Sequence, residues 1–175
     1  LKRLGLNDKL ISLLSNLYTD ATTQVRTHQG VTQPIDIKAG VKQGDPLSPT
    51  LFCLALEYLI RNLKQILPDA GYSWFKNYRT FLLAYADDIA IVCKSTDEME
   101  QTLSELSELA DICGLQFKPA KCATPTLHQG KEHPHSFKIQ GATVPHMGHG
   151  EFYEHLGVPI GTGLQQTELH RTLIN

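Results

Sequence analysis

The apolar positions change their period several times along the chain, and each change marks an element. Residues 6–18, LNDKLISLLSNLY, space Leu10, Leu13, Leu14 and Leu17 along one helical face, with Asn7 or Asp8 placed to cap it. Residues 23–38, TQVRTHQGVTQPIDIK, alternate in twos around a Gly30 turn, which predicts a two-stranded hairpin. Residues 40–52, GVKQGDPLSPTLF, are dense in Gly and Pro and read as a loop. They feed the apolar run CLALEYLIRNLKQIL, a long and mostly buried helix that Pro68 and Gly71 end. Residues 95–114, STDEMEQTLSELSELADICG, have capping-box spacing at Ser95 and Glu98. Met99, Leu103, Leu106, Ala110 and Cys113 form their apolar stripe, and Gly114 stands at the C-cap.

Between the second and third helices lies FLLAYADDIAIV, residues 81–92, apolar apart from Asp87 and Asp88 at its middle and Tyr85 before them. It predicts strands over 79–85 and 89–94 joined by a tight turn. After the third helix, LQFKP reads as a strand. Residues 124–150, rich in Pro, His and Gly, read as a loose hairpin with FKIQG and ATVPH as its strands. YEHLGVPIG, 153–161, reads as a short strand and turn, and the last dozen residues as the start of a helix. Helices mixed with antiparallel hairpins, without a βαβ alternation, indicate an α+β fold.

Composition narrows the class only slightly. The 175 residues, 41% hydrophobic and 19% charged, suit one globular domain. No window approaches the roughly 20 apolar residues of a membrane helix. The N-terminus, LKRLGLNDKL, has no continuous apolar signal core and opens on Leu rather than Met, so the chain reads as a piece of something longer. A net charge of −2 argues mildly against a broad nucleic-acid surface, although residues 1–50 carry six cations against four acids. Cys53, Cys93, Cys113 and Cys122 form no C-x-x-C pair and lie in or beside apolar segments. They read as buried free thiols of a reducing compartment. Cys122, His128, His133 and His135 match no standard zinc spacing.

The paired aspartates carry two readings. Asp is common in hairpin turns, where its side chain bonds nearby backbone. The flanks Phe81, Leu82, Leu83, Ile89, Ile91 and Val92, however, point to strands that hold the turn still. Two like charges fixed close together repel, and a hard divalent cation relieves this. Mg²⁺ favours carboxylate oxygens together with substrate phosphates, so the pair is also a plausible half of a two-metal phosphoryl-transfer site. The upstream loop bears on the choice. Gly40 and Gly44 allow backbone to approach a ligand closely, and Gln43 offers donors and acceptors. Pro46 and Pro49 stiffen the entry to the helix, with Ser48 as a possible cap. A plain Gly/Pro loop explains that punctuation but not the polar Gln-Gly-Asp within it.

GVKQGDPLSPTLF, YADD, GLQFKPAKC and YEHLGVPIG, in that order over residues 40–161, resemble the palm of reverse transcriptases, and above all that of site-specific non-LTR (LINE-type) retrotransposon polyproteins. The resemblance implies a polymerase palm-type α+β fold: an antiparallel sheet with helices packed on one face. It also implies partial fingers and palm over 1–161, with the start of a thumb over 162–175. Gln43 and Gly44 then line the nucleotide pocket, with Ser48 and Pro49 closing that motif. Asp87 ligates catalytic metal, with Asp88 as a supporting ligand, and Tyr85 packs near the primer end and nucleotide. Lys121 meets the leaving pyrophosphate or the triphosphate, and Leu156 and Gly157 grip the primer. A solvated lysine and an ordinary turn are the plainer readings of these last two features.

The implied cofactors are two Mg²⁺ (or Mn²⁺) ions, with a third carboxylate from outside this chain. The implied partners are an RNA template, a DNA primer or target, dNTP and the rest of a polyprotein, without a membrane and with a nuclear location. The sequence departs from the pattern at Lys118, where the family commonly has Asn. The upstream Asp-bearing motif is also missing: Asp8, Asp20 and Asp36 lack its context, and Asp45 lies in the nucleotide loop. The chain alone is therefore expected not to polymerise. Two alternatives remain: a non-catalytic palm-like remnant that binds RNA or protein, and an unrelated metal-dependent phosphoryl-transfer or phosphate-binding domain.

Overall fold

The computed structural model describes residues 1–164 apart from positions 3, 4, 43 and 77. The chain divides into two compact units, residues 1–54 and 55–175.

The first unit opens with α1 (Asp8–Tyr18), capped as the sequence suggests: Asn7 Oδ1 accepts the Leu10 N–H at 2.8 Å. Of its four stripe leucines only Leu14 is buried, while Leu10, Leu13 and Leu17 are exposed. The hairpin centred on Gly30 is present but interrupted. β2 (Arg26–Thr27) and β3 (Gly30–Val31) close its tip, and β1 (Thr22–Thr23) and β4 (Ile35–Asp36) close its base. Between the two ladders the Thr32 hydroxyl takes the Val25 N–H at 3.0 Å, replacing a strand partner with a side chain. The Gly/Pro loop then leads into α2 (Ser48–Ile66), which starts in the first unit and continues into the second.

The second unit is built on α2 and α3 (Thr96–Cys113). Leu59 and Leu63 of α2 and Leu106 and Ala110 of α3 belong to one core with Phe81, Phe137 and Ile139. Ser95 Oγ accepts the Glu98 N–H at 3.2 Å, and Gly114 ends α3 at φ 68°, both as the capping pattern predicts. Between the helices lie two hairpins where the sequence suggested one. β5 (Tyr72–Phe75) pairs with β6 (Tyr78–Thr80), and β7 (Leu82–Tyr85) pairs with β8 (Asp88–Ile91). After α3 come β9 (Leu127–His128) with β10 (Lys131–Glu132), β11 (Phe137–Ile139) with β12 (Ala142–Val144), and β13 (Phe152–His155) with β14 (Val158–Gly161).

The described residues thus combine helices with seven small antiparallel ladders, each of two strands. This mixed architecture agrees with the α+β reading. The continuous sheet implied by the resemblance is not one of these ladders.

Two expectations are corrected. LQFKP is not a strand. Its Phe117 N–H goes to the Gln140 side chain at 2.8 Å, Pro119 has no N–H to offer a ladder, and Pro119–Lys121 turns into a single 3-10 turn. The cysteines are not buried: Cys53 is exposed, and Cys93, Cys113 and Cys122 are half-buried, with burial pushing those three thiols up. The helix start foreseen for the last dozen residues lies, but for Leu164, outside the described residues. Among those residues no helix is long and apolar enough to cross a membrane.

Candidate active site

FLLAYADDIAIV folds as a hairpin from end to end. Leu82 pairs with Ile91, Leu83 with Ala90, Ala84 with Ile89 and Tyr85 with Asp88. The Val92 N–H extends the ladder to the Phe81 carbonyl at 2.8 Å. Within β7 and β8 one face meets the core: Leu82 is buried and Ile89 and Ile91 pack beside it, whereas Leu83 and Tyr85 are exposed; Phe81, just before β7, is buried as well. The apolar character of the stretch therefore serves one side of the hairpin and not both, as the strand period of two dictates.

The turn holds only Ala86 and Asp87. Ala86 sits at φ 50°, in the left-handed region that costs a non-glycine residue on the order of 1 kcal/mol. Such strain persists only where the surroundings hold it, and here the base of the hairpin is well fastened. Glu98 of α3 takes the Lys94 N–H on Oε2 at 2.9 Å and the Gly71 N–H at 3.2 Å, and meets the Lys94 ammonium at 3.1 Å. Burial on its own pushes the Glu98 carboxyl up. The two N–H groups and the ammonium outweigh burial and hold it below the usual carboxylate range. Gly71 itself admits no side chain: at φ 114°, a Cβ there would stand 2.7 Å from the Thr80 carbonyl oxygen. Cys93, just beyond β8, faces the fully buried Thr102 hydroxyl at 3.7 Å.

This frame brings Tyr85, Asp87 and Asp88 together on one tip. Asp87 is exposed and Asp88 half-buried, and among the described residues neither forms an ion pair. No cluster of three or more His, Cys, Asp or Glu suited to a metal occurs among the described residues. The two carboxylates are hard oxygen donors of the kind Mg²⁺ or Mn²⁺ prefers. They fill only part of an octahedral shell, and water, phosphate or a further carboxylate would complete it.

The other expected site residues lie on separate elements. Lys121 ends the 3-10 turn next to β12, exposed, with its N–H on the Lys118 carbonyl at 2.8 Å. Leu156 and Gly157 form the two-residue turn between β13 and β14, at φ 53° and 77°. Gly44 lies in the first unit's loop at φ 85°, and Gln43 is outside the described residues. In that loop Ser48 does not cap by accepting an N–H. It is buried, and its hydroxyl donates to the Lys42 carbonyl at 2.6 Å, while Asp45 Oδ1 accepts the Leu47 N–H at 2.9 Å. The loop is thus closed by its own side chains.

One residue escaped the sequence reading. Gln140, at φ 46° in the β11–β12 turn, bonds the Phe117 N–H, the Leu115 carbonyl and Asp111 through its side chain, and Ser107 through its own N–H. It holds the segment leading to Lys121 against the end of α3. The Gln-Gly pair between two short apolar runs signals the turn, but nothing in the sequence signals the clamp.

The hairpin tip thus presents two adjacent aspartates, one in the turn and one at the start of β8. The chain belongs to the reverse transcriptase (RNA-dependent DNA polymerase) family, whose profile matches residues 2–162. Its relatives include the retrovirus-related Pol polyprotein from type-1 retrotransposable element R2 of Popillia japonica, 29% identical over 167 residues. That alignment covers 93% of this chain and 27% of the relative. The corresponding polyprotein from type-2 retrotransposable element R2DM of Drosophila melanogaster is 26% identical over 164 residues, covering 90% of this chain and 15% of that protein. The chain therefore spans about a quarter or less of the length of these relatives.

Proposed function

We propose that the chain is a partial fingers and palm of a non-LTR retrotransposon reverse transcriptase, with residues 162–175 beginning the thumb. The complete enzyme adds dNTPs to a primer 3′-hydroxyl along an RNA template. The observation that carries this reading is the Tyr85–Asp88 tip, a strained two-residue turn held by a fastened hairpin, within a chain of this family. Asp87, with Asp88 in support, would hold Mg²⁺ or Mn²⁺. A pair of such ions held there would supply Lewis acidity toward the attacking hydroxyl and the departing pyrophosphate.

The chain's own residues position the reactants. Tyr85, exposed beside the carboxylates, offers a ring face to the primer end or the incoming nucleotide. Gln43 and Gly44 line the nucleotide pocket, where a glycine lets backbone approach the ligand. Lys121 brings a mobile ammonium to the triphosphate or to the leaving pyrophosphate. The Leu156–Gly157 turn steadies the primer strand. The third carboxylate expected of a two-metal site comes from outside this chain, so the 175 residues alone do not polymerise. The remaining partners are a DNA target and the rest of the polyprotein, and the working location is the nucleus.

Two measurements test the reading. Mn²⁺ titrated into the chain should bind at the aspartate tip, and Asp87→Asn should weaken that binding at least tenfold. Equal affinity in the variant refutes the metal assignment. In primer extension the chain alone should incorporate nothing. Template-dependent incorporation that vanishes in Asp87→Ala would overturn the claim of inactivity while upholding the site.

A further inference from the structure

We propose that the β5–β6 hairpin is a stacking platform for single-stranded nucleic acid. The ladder of this hairpin is broken. Tyr72 pairs with Thr80 and Ser73 with Arg79, but the next pair is Phe75 with Tyr78, so Trp74 is an extra, bulged residue. In an unbroken strand Phe75 would face away from Tyr72. The bulge restores it to the Tyr72–Thr80 side, because each ladder pair shares a face and Tyr78 lies two residues from Thr80. Trp74 joins the same side: its Nε1 donates to the Thr80 hydroxyl at 3.2 Å, and its ring stands edge-on to Tyr72 at 4.9 Å. Four aromatic rings thus occupy one face of the hairpin over residues 72–80, with exposures from 44% for Tyr72 to 80% for Phe75.

The chemistry of that face narrows the choice of occupant. Its side chains are aromatic or hydroxyl-bearing, without Leu, Ile, Val or Met. Residues 70–80 include Lys76 and Arg79 and no acid. Arg79 lies with Ser73 on the opposite face, where it donates to the Pro68 carbonyl at 2.6 Å and pairs with Asp69 at 3.5 Å. This anchors the hairpin's base and leaves Lys76, exposed in the turn between Phe75 and Tyr78, as the hairpin's other cation. Exposed rings interleaved with a cation suit unpaired bases, each of which has a π-face, with a phosphate at the ammonium. Paired bases in a duplex hide those faces. The choice of nucleic acid over a protein partner rests on the reverse transcriptase reading; the geometry of the face does not.

Trp74 is the only tryptophan of the chain, so it reports on its own surface. Oligouridylate and oligothymidylate of about a dozen residues, titrated separately into the 175-residue chain, should quench its fluorescence, whereas a duplex of equal length should not. A preference for one of the two identifies RNA or DNA as the ligand. Phe75→Ala and Tyr78→Ala, outward-facing substitutions, should each weaken binding roughly 5- to 150-fold. Lys76→Gln should lower the salt slope by about one.

Absence of quenching overturns the proposal, as does equal quenching by duplex. Fluorescence that changes with protein concentration alone, and is abolished by Phe75→Ala, overturns it in favour of self-association. Mn²⁺ binding measured on the same samples separates the two readings. Lost metal binding with intact quenching sinks the catalytic assignment only, and intact metal binding without quenching sinks this one only.

Discussion

Removing the Glu98 carboxylate tests whether the aspartate hairpin is held as described. Glu98 is 11% exposed at its side chain and joins three parts of the second unit: the N-terminus of α3, Lys94 in the segment after β8, and Gly71 just before β5. Its Oε2 accepts two backbone N–H groups, and a net hydrogen bond to a charged acceptor contributes about 1.5–3 kcal/mol. The 3.2 Å bond from Gly71 lies at the weak end of that range. The ammonium of Lys94 is 58% exposed and adds little. Glu98→Ala should therefore cost about 3 kcal/mol, a fall in Tm of roughly 6–12 °C for a chain of this size. Glu98→Gln keeps an acceptor but not the charge and should cost about half as much.

The dependence on pH has a definite sign. The folded carboxyl sits below its ordinary value of 4.5, so its stabilisation is complete above that value and is lost as pH falls through the lower folded one. The gap between wild type and Glu98→Gln, measured by urea denaturation with circular dichroism, should be constant well above 4.5 and narrow progressively as pH falls below it. A gap that persists unchanged to pH 3, or an alanine variant within about 0.5 kcal/mol of wild type, refutes the reasoning.

Two further outcomes follow from the same core and turn. Leu106→Ala empties a site that is 1% exposed and should cost about 3–4 kcal/mol in chemical denaturation; a loss under about 1.5 kcal/mol would place Leu106 outside a packed core. Ala86→Gly relieves the left-handed strain at φ 50° and should raise stability by up to about 1 kcal/mol in thermal denaturation, whereas Ala86→Val should lower it by more than that.

The sequence was most legible where local chemistry fixes a boundary. Asn7, Ser95 and Gly114 cap the helices because their side chains or backbone freedom supply what a helix end lacks, and these signals lie within four residues of the boundary they mark. The aspartate turn was legible for the same reason. What stayed hidden depends on groups distant in sequence. LQFKP has a strand's composition, but Gln140, 23 residues beyond Phe117, takes the N–H that a ladder would need. Ser48 looks like a cap and instead closes its loop through Lys42. The apolar run 81–92 suggested two buried strands, because period two cannot say whether a second layer covers the other face; Leu83 and Tyr85 are uncovered. The turn at the tip was readable, whereas its fastening by Glu98 was not, since Glu98 reads simply as the acid that closes a capping box.

The ladders also bear on how the chain acquires its shape. Every ladder among the described residues joins strands that are consecutive in sequence or nested around one turn. Such pairings close short loops and form in roughly microseconds, ahead of contacts that must gather distant segments. A lone two-stranded hairpin is only marginally stable in water, so each flickers until a helix covers it. The aspartate tip thus samples its final geometry early, before the core exists. What the docking of α3 contributes is persistence: it turns a transient bend carrying two charges into a fixed one. Substitutions in α3 should accordingly change how long that bend survives more than how fast it forms.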